Sequence, residues 1–121
     1  MNICVIGCGY VGLVTGAVFA DLGNEVVCID VLEERIAQLK NGIMPIYEPG
    51  LQEMVQRNLA DRRISFSTSL EVGMDKAEII FICVGTPPKE NGETDLSQIE
   101  AAARGIARYR SFGGQQSSRP G

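Results

Sequence analysis

The sequence predicts an α/β fold in which a parallel sheet is covered by helices on both faces. Short apolar runs alternate with segments whose apolar residues recur at helical spacing, which is the pattern of strand-helix-strand units. Three of the four strand candidates are nearly continuous in apolar residues, as strands buried on both faces are, and the fourth, ISFSTS at 64–69, alternates apolar and polar residues. Residues 1–109 therefore read as β-α-β-α-α-β-(α)-β-α.

The first half of the chain contains two strand-helix pairs and a loop. Strands are predicted at 2–7 (NICVIG) and 24–30 (NEVVCID). Helices are predicted at 10–23 and 32–42, since each has an apolar face and ends on a glycine. Residues 43–50 (IMPIYEPG) contain two prolines, which predict a rigid loop that brings Glu48 close to the start of the next helix.

The second half continues the alternation. Its predicted elements are a helix at 51–63, a strand near the sheet edge at 64–69, a short helix or turn at 70–77, a strand at 78–85, a polar turn-rich segment at 86–95 and a helix at 96–109. The run at 78–85 is the most hydrophobic in the chain, as a strand inside a sheet would be. Asp95 is the predicted N-cap of the last helix.

Composition excludes several classes of protein. Hydrophobic residues make up 45% and charged residues 21% of the 121 residues, as in one soluble domain. The net charge of −4 and the lack of a basic stripe argue against a nucleic-acid partner. No apolar run reaches membrane-spanning length, and no basic segment precedes the first apolar run as in a signal peptide. We therefore expect no membrane partner and a cytoplasmic location.

The cysteines are predicted to be buried, reduced thiols. Three of the four lie inside apolar runs, and no two have the spacing of metal ligands; they are Cys4, Cys8, Cys28 and Cys83. The chain contains no histidine, so it cannot form a catalytic Cys-His pair by itself. No metal site is expected.

A glycine motif, Gly7, Gly9 and Gly12, stands between the first strand and the first helix. In a G-x-G-x-x-G turn the first glycine permits the tight turn, the second lets a pyrophosphate approach the backbone, and the third lets the helix pack closely on the strand. The free N–H groups and the positive end of the helix then hold the anion. This context predicts a dinucleotide site.

An acid in the expected place supports this interpretation. Asp30 ends the second strand, 18 residues after Gly12. A carboxylate there accepts hydrogen bonds from the ribose hydroxyls and repels a 2′-phosphate, which favours NAD over NADP. The fold is then Rossmann-like and doubly wound, with strand order 3-2-1-4. An ordinary tight turn with a chance acid, and a flavin or another dinucleotide, remain alternatives.

Two further residues could contact the cofactor. Arg35 lies one helical turn after Asp30 and could reach the ribose or a phosphate, or it could be an ordinary solvated residue. Thr86 follows the strand at 78–85, at the carboxyl edge of the sheet where ligands bind. The alternative for Thr86 is a simple turn, because Pro87 and Pro88 explain one by themselves.

Taken together, several motifs resemble one family. They are GYVGL at 9–13, Asp30, PIYEPGL at 45–51, VGTPP at 84–88 and DLSQIEAAARGIA at 95–107. In this order and spacing they are similar to the NAD-binding domain of the UDP-glucose/GDP-mannose dehydrogenases. The resemblance implies that the loop from Gly7 to Gly12 holds the pyrophosphate with backbone contacts from Tyr10 and Val11. It also implies that Asp30 and Arg35 hold the adenosine ribose and that Thr86 contacts the cofactor.

The family oxidises the C6 alcohol of a nucleotide sugar to a carboxylate with two NAD molecules, through a thiohemiacetal on a cysteine. The resemblance implies UDP-glucose as the substrate of a longer homodimeric parent protein, with GDP-mannose or UDP-N-acetylmannosamine as alternatives. The family's catalytic cysteine, lysine, asparagine and aspartate lie in later segments, and none of the four cysteines here matches. We therefore expect no catalytic residue in this chain and no activity from it alone.

The resemblance ends near residue 109. We predict a partial NAD-binding domain at 1–109 and a disordered tail without family character at 110–121 (RSFGGQQSSRPG). One hypothesis is a truncation by frameshift, because GGQQSSRP read one nucleotide out of frame can encode Val-Val-Asn-Lys-x-x-Val-Pro, a family-like continuation. Vector-derived residues are the rival explanation.

An incomplete sheet has consequences. The strand at 78–85 would become an open apolar edge, which predicts self-association and marginal stability. NAD binding would be weak and mostly through the adenosine half. A stand-alone NAD- or nucleotide-binding module, and an oligomerisation or pseudogene product without ligand, remain alternative functions.

Overall fold

A computed structural model describes residues 1–110. Within them, four parallel strands form one sheet in the order β3-β2-β1-β4. The elements are β1 (Asn2–Ile6), α1 (Tyr10–Asp21), β2 (Glu25–Ile29), α2 (Glu33–Lys40), α3 (Leu51–Ala60), β3 (Ile64–Ser67), α4 (Leu70–Met74), β4 (Ile79–Ile82) and α5 (Ser97–Arg108). The predicted fold class and strand order are confirmed, and most elements are slightly shorter than predicted.

The register aligns the carboxyl ends of the strands. Cys4 of β1 is paired with Val27 of β2 on one side and with Ile80 of β4 on the other. Because all pairs are parallel, the loops that follow β1, β2 and β4 meet at one edge of the sheet. Ligands of open parallel sheets bind at this edge.

The sheet is apolar on both faces, which explains the continuous apolar runs. On the first face, Val5, Val26, Cys28 and Phe66 pack with α1, α2 and α3 in one core cluster. On the second face, Cys4, Ile6 and Ile29 form a smaller cluster, to which α4 and α5 contribute; the contributors are Leu70, Ala102 and Ile106. Helices therefore cover both faces, as predicted.

The predicted cap of the last helix is wrong by one residue. Leu96 occupies the N-cap position and provides no side-chain hydrogen bond. Asp95 precedes it, and its Oδ1 accepts a hydrogen bond from the Ser97 N–H at 2.9 Å. An aspartate one residue before the N-cap can still accept a hydrogen bond from a free N–H of the first turn. The sequence alone therefore does not show whether such an aspartate lies at the N-cap or one residue before it.

The two edges of the sheet are β3 and β4. The side chains of Ile79 and Ile82 in β4 are 39% and 36% exposed, and α5 buries none of its residues. This confirms the prediction that the most hydrophobic strand lies at an open edge of the sheet in the described residues.

The predicted tail lies outside those residues from position 111 onward. Among residues 1–110, no helix combines the length and the apolar character needed to cross a bilayer.

Candidate functional site

The loop between β1 and α1 is fastened to both neighbouring strands. The Gly7 N–H donates to the Ile29 carbonyl oxygen at the end of β2 at 2.7 Å. On the other side, the Cys83 N–H donates to the Ile6 carbonyl oxygen at 2.7 Å. The glycine motif therefore lies at the carboxyl edge, between β2 and β4, where the sheet order reverses.

Gly7 and Gly12 are glycines because of packing within the chain itself. Gly7 has a φ of +106°, and a Cβ there would lie 2.6 Å from the Cys83 carbonyl oxygen. A Cβ on Gly12 would collide with the Gly7 carbonyl oxygen. The close approach at Gly12 is thus between helix and loop, whereas the close approach of α1 to β2 occurs at Gly16, where a Cβ would lie 2.7 Å from Cys28 Sγ.

Gly9 differs from the other two. Its φ of −76° and ψ of −163° are accessible to any residue. A Cβ at Gly9 would have no atom within 4 Å. The fold does not require a glycine here, so the missing side chain leaves open space directly in front of the backbone. That space fits a ligand that must approach the chain closely.

The N-terminus of α1, which begins directly after Gly9, has no side-chain cap and no acidic residue of its own. Gly9 is the N-cap, no side chain caps the helix, and its first turn contains no acidic residue. The first helical hydrogen bond runs from the Leu13 N–H to the Gly9 carbonyl oxygen at 2.9 Å. The N–H groups of Tyr10, Val11 and Gly12 therefore have no partner within the helix, which suits a pyrophosphate.

Asp30 connects the ends of β1 and β2 with the start of α2. Its Oδ2 accepts hydrogen bonds from the Cys8 N–H at 2.8 Å and from Arg35 Nη1 at 3.2 Å. Its Oδ1 accepts from the Leu32 N–H at 3.0 Å. A carboxylate has about four acceptor positions, so one remains for a ligand. The structure thus brings the glycine loop, Asp30 and Arg35 together at one site.

Thr86 belongs to a different strand end, that of β4. It is exposed, in the loop that follows β4. This loop continues into a small turn in which Pro88 bridges Thr94. Thr86 lies at the same carboxyl edge of the sheet as Gly7. The backbone of Cys83 and Val84, just before Thr86, packs closely against Gly7.

The loop at 43–50 behaves as predicted at its end. The Leu51 N–H donates to the Glu48 carbonyl oxygen at 3.0 Å, so Glu48 lies beside the start of α3. Tyr47 is 89% exposed, and together with Glu48 it lines a shallow cavity of about 190 Å³.

A slightly larger cavity of about 230 Å³, lined in part by Asn2, Glu25 and Lys76, lies at the opposite, amino-terminal edge of the sheet.

The thiols are unsuited to nucleophilic chemistry. All four are free; Cys4, Cys8 and Cys28 are buried and Cys83 is partly buried. Burial raises the pKa of Cys4 to about 11. A hydrogen bond with Cys8 and burial raise the pKa of Cys28 well above its ordinary value, and burial raises the pKa of Cys83. Cys4, Cys28 and Cys83 therefore stay protonated at neutral pH. Residues 1–110 contain no cluster of acidic, cysteine or histidine side chains suited to a metal.

Sequence reasoning missed two features of the site, the backbone donors that hold Asp30 and the exposed apolar surface that follows it. The N–H groups of Cys8 and Leu32 hold the Asp30 carboxylate, but a backbone donor has no residue type that would reveal it. Val31 and Leu32 are 85% and 50% exposed and place apolar surface directly after Asp30, of the kind that an adenine ring covers. Two apolar residues after a strand-terminal acid were the only signal for that surface.

Comparison with known proteins gives one consistent result. Residues 1–113 match the family described as "UDP-glucose/GDP-mannose dehydrogenase family, NAD binding domain". The UDP-glucose 6-dehydrogenase YwqF of Bacillus subtilis is 51% identical over 109 residues, which are 90% of this chain and 25% of that protein. The UDP-glucose 6-dehydrogenase of Pseudomonas aeruginosa is 52% identical over 103 residues, which are 85% of this chain and 23% of that protein.

Solved structures agree with these sequence matches. The GDP-mannose dehydrogenase of Pseudomonas aeruginosa, solved as a ternary complex, superimposes with a TM-score of 0.85 at 39% identity, over 88% of this chain and 24% of that one. A UDP-glucose dehydrogenase of Pyrobaculum islandicum gives a TM-score of 0.84 at 44% identity, with the same coverage. The chain thus spans about a quarter of the length of these relatives.

Proposed function

Because the chain belongs to the UDP-glucose/GDP-mannose dehydrogenase family, as its NAD binding domain, we propose that its described residues bind the adenosine and pyrophosphate half of NAD. NAD is the cofactor of this family. In the proposed site, the loop from Gly7 to Gly12 holds the pyrophosphate through backbone N–H groups, including those of Tyr10 and Val11. Asp30 and Arg35 hold the adenosine ribose, and Thr86 contacts the cofactor at the end of β4.

The observation that carries this proposal is the open space at Gly9. Packing explains the absence of a side chain at Gly7 and Gly12 but not at Gly9, where a Cβ would touch nothing within 4 Å. The same space adjoins the uncapped, positive end of α1. A negatively charged group that needs close contact with the backbone fits both properties.

The fixed position of Asp30 supports the proposed contact with the ribose. Two backbone N–H groups hold the carboxylate, which is only 9% exposed, so it cannot turn away from a ligand. It keeps one acceptor position for a ribose hydroxyl. Exposed apolar surface at Val31 and Leu32 would cover one face of the adenine.

The reaction belongs to the longer protein. When bound, NAD supplies a hydride acceptor. We propose that the longer protein oxidises UDP-glucose to UDP-glucuronate with two NAD molecules, as the names and identities of the curated relatives support. The raised pKa values of Cys4, Cys28 and Cys83 support the view that this chain contributes no nucleophile and is inactive alone. A similar fold in a GDP-mannose dehydrogenase keeps that sugar nucleotide as the alternative.

A stand-alone nucleotide-binding module is the second candidate. One observation favours it: the glycine loop, Asp30 and Arg35 come from β1, α1, β2 and α2 and connect to one another directly. A module of this kind would bind NAD or another adenine nucleotide without any reaction. The proposed boundary of the domain at residue 109, the nature of the tail and the cytoplasmic location stay predictions.

Calorimetric titration of the 121-residue chain with NAD, ADP-ribose and nicotinamide mononucleotide tests the proposal. We expect ADP-ribose to bind as well as NAD and the mononucleotide not to bind, because the described contacts serve the adenosine half. Adding UDP-glucose with NAD should produce no NADH absorbance. A folded chain that binds none of the three, or that prefers the mononucleotide, would contradict the proposal. NADH formation would contradict the view that the chain is inactive alone.

A further inference from the structure

We propose that Asn91 is a modification site at which the chain deamidates spontaneously, whereas the fold protects the similar site at Asn41. The sequence contains two asparagines that are followed by glycine, in the pairs Asn41–Gly42 and Asn91–Gly92. The two pairs have the same local chemistry but lie in different surroundings. The modification involves no residue of the proposed NAD site.

Deamidation of an Asn-Gly pair needs only the pair itself and water. The glycine nitrogen bonds to the asparagine Cγ, the bond from Cγ to Nδ2 breaks, and Nδ2 leaves as ammonia with the proton of the glycine N–H. A cyclic succinimide remains. Water opens this ring at either carbonyl carbon and leaves aspartate or isoaspartate. Glycine favours the attack because it has no side chain in the way, and asparagine is a thermolabile residue for this reason.

The pair at Asn91 lies at the tip of a short hairpin loop. The Lys89 N–H donates to the Glu93 carbonyl oxygen at 2.6 Å, and the Gly92 N–H donates to the Lys89 carbonyl oxygen at 3.0 Å. Gly92 has a φ of +89°, as a glycine that closes such a loop does, and a Cβ there would have no atom within 4 Å. Asn91 and Gly92 are both exposed. The Gly92 nitrogen therefore needs to release only one hydrogen bond, in full contact with water.

The loop also polarises the Asn91 amide. The Glu93 N–H donates to Asn91 Oδ1 at 3.0 Å, and Asn91 Nδ2 donates to Glu93 Oε1 at 3.0 Å. Attack on Cγ places negative charge on Oδ1. An N–H group that already points at this oxygen stabilises the developing charge. The backbone of the loop thus holds the amide in place and makes its carbon more electrophilic.

The pair at Asn41 is closed off by packing and hydrogen bonds. Asn41 is the C-cap of α2, and the N–H groups of Asn41, Gly42 and Ile43 all donate to carbonyl oxygens in the last turn of that helix. Gly42 is buried, and its carbonyl oxygen accepts a hydrogen bond from Gln56 Nε2 of α3 at 3.2 Å. The Gly42 nitrogen can therefore attack only after the end of α2 has opened.

The product changes the loop in which it forms. An aspartate at position 91 replaces the hydrogen bond between Asn91 Nδ2 and the Glu93 carboxylate by two carboxylates in contact, which repel each other. Isoaspartate also lengthens the backbone at the tip. Either product should weaken the bridge between Pro88 and Thr94 that closes the loop.

The reaction is tested by ageing the purified 121-residue chain. Native chain and chain unfolded in urea would be kept in mildly alkaline buffer, and peptide mass spectrometry would follow both sites. In the native chain, Asn91 should deamidate at least about tenfold faster than Asn41, since each 1.4 kcal/mol needed to open the end of α2 slows the reaction about tenfold. In urea the two rates should agree within about threefold, because the structural difference is lost.

Three results would overturn the proposal. They are equal rates at Asn41 and Asn91 in the native chain, no reaction at Asn91, and a rate difference that persists in urea, which would come from the sequence and not from the fold. Asn91→Gln is the control for the assignment, because its longer side chain disfavours the ring. It should remove the acidic form of the aged chain on ion exchange, and an acidic form that remains would place the reaction at another residue.

The effect on the loop is tested with Asn91→Asp, which carries the product from the start. Trypsin should cut after Lys89 about two- to fivefold faster in this variant than in wild type, a modest change as expected for an exposed charge contact. Asn91→Asp/Glu93→Gln should return toward the wild-type rate, with circular dichroism as the check on folding. Unchanged cleavage in Asn91→Asp, or faster cleavage that Glu93→Gln does not reverse, would overturn the proposed repulsion.

Discussion

The two halves of the sheet differ in how completely they are packed. In the half formed by β1, β2, β3 and the first three helices, Leu13, Leu39 and Val55 are fully buried. In the half formed by β4 and α5, the helix buries no residue and Ile79 is 39% exposed. We call these the closed half and the open half.

The distribution of the candidate site follows this difference. The glycine loop, Asp30 and Arg35 belong to the closed half, where hydrogen bonds fix them from several elements. Thr86 belongs to the open half and is exposed. The comparison indicates that a packed core fixes the glycine loop, Asp30 and Arg35 in place, whereas Thr86 belongs to the less completely packed half.

The closed half also contains a buried polar network. Asn58 is fully buried, and its Nδ2 donates to Asp21 Oδ1 at 3.0 Å and to the Met54 carbonyl oxygen at 2.8 Å. Its Oδ1 accepts from Arg63 Nε at 2.8 Å. The network joins the end of α1, α3 and the start of β3, so the closed half is specified by polar as well as apolar contacts.

The largest difference between the halves should appear on apolar truncation. Leu39→Ala removes a fully buried side chain from α2 and should lower the free energy of unfolding by about 3 kcal/mol. Ile106→Ala removes the same number of carbons from half-buried surface on α5 and should cost about 1 kcal/mol. Urea denaturation measures both. Equal losses would show that the open half is packed as tightly as the closed half.

Truncating the buried amide should have the next largest effect. Asn58→Ala removes one hydrogen bond from each of Asp21, Arg63 and the Met54 carbonyl, in a fully buried place, and should lower the free energy of unfolding by about 2 kcal/mol. Asn41→Ala is the matched control, because its amide makes one exposed bond to the Ala37 carbonyl oxygen. That variant should change stability by about 0.5 kcal/mol or less. If both variants lowered the free energy of unfolding by similar amounts, the buried network around Asn58 would not be a specific stabiliser of the fold.

Acid should weaken the closed half through Asp21. Hydrogen bonds from Arg57 and Asn58 hold the pKa of Asp21 below its ordinary value. A lowered native pKa stabilises the fold above the unfolded pKa, and this stabilisation is lost as the pH falls from about 4 through the native pKa. Denaturation curves would be measured between about pH 2 and pH 6. The free energy of unfolding of Asp21→Asn should fall less with decreasing pH than that of wild type. An unchanged dependence would contradict this role.

A substitution at the edge of the open half should have the smallest effect on the free energy of unfolding. It should nevertheless reduce the self-association of the chain measurably. Ile79→Lys places a charge on β4 and should reduce self-association while changing the free energy of unfolding by about 0.5 kcal/mol or less. Val18→Lys is the matched control, because Val18 is similarly exposed at 43% but lies on α1. Sedimentation velocity over a range of concentrations reports the assembly. If both variants self-associated to the same extent, the association would not take place through the edge of β4.

The sequence allowed the framework to be predicted because three of the four strand runs are nearly continuous in apolar residues, whereas the fourth, β3, alternates apolar and polar residues. The runs containing Cys4, Cys28 and Phe81 read as buried parallel strands, and glycine spacing located the loop between β1 and α1. The prediction for Asp95 was wrong by one residue because two adjacent positions can serve the same free N–H. Such details depend on local backbone geometry rather than on residue type.

The candidate site was harder to predict. The motif shows three glycines, but only the structure separates Gly7 and Gly12, which packing requires, from Gly9, which it does not. The pairing of Arg35 with Asp30 was not predicted, because the sequence suggested only a contact with the ribose or a phosphate, or an ordinary solvated residue. The Cys8 N–H that holds Asp30 is a backbone group, so no substitution pattern at that position would indicate it.

One measurement tests the central claim most directly: NAD titration of Gly9→Val by calorimetry, beside wild type, with melting curves for both. The new side chain enters space that holds no protein atom within 4 Å. We predict a free energy of unfolding within about 1 kcal/mol of wild type, as for a change at a helix N-cap, and an NAD affinity reduced by about tenfold or more, since one lost contact of about 1.4 kcal/mol suffices. A folded Gly9→Val chain that binds NAD as wild type does would contradict the account.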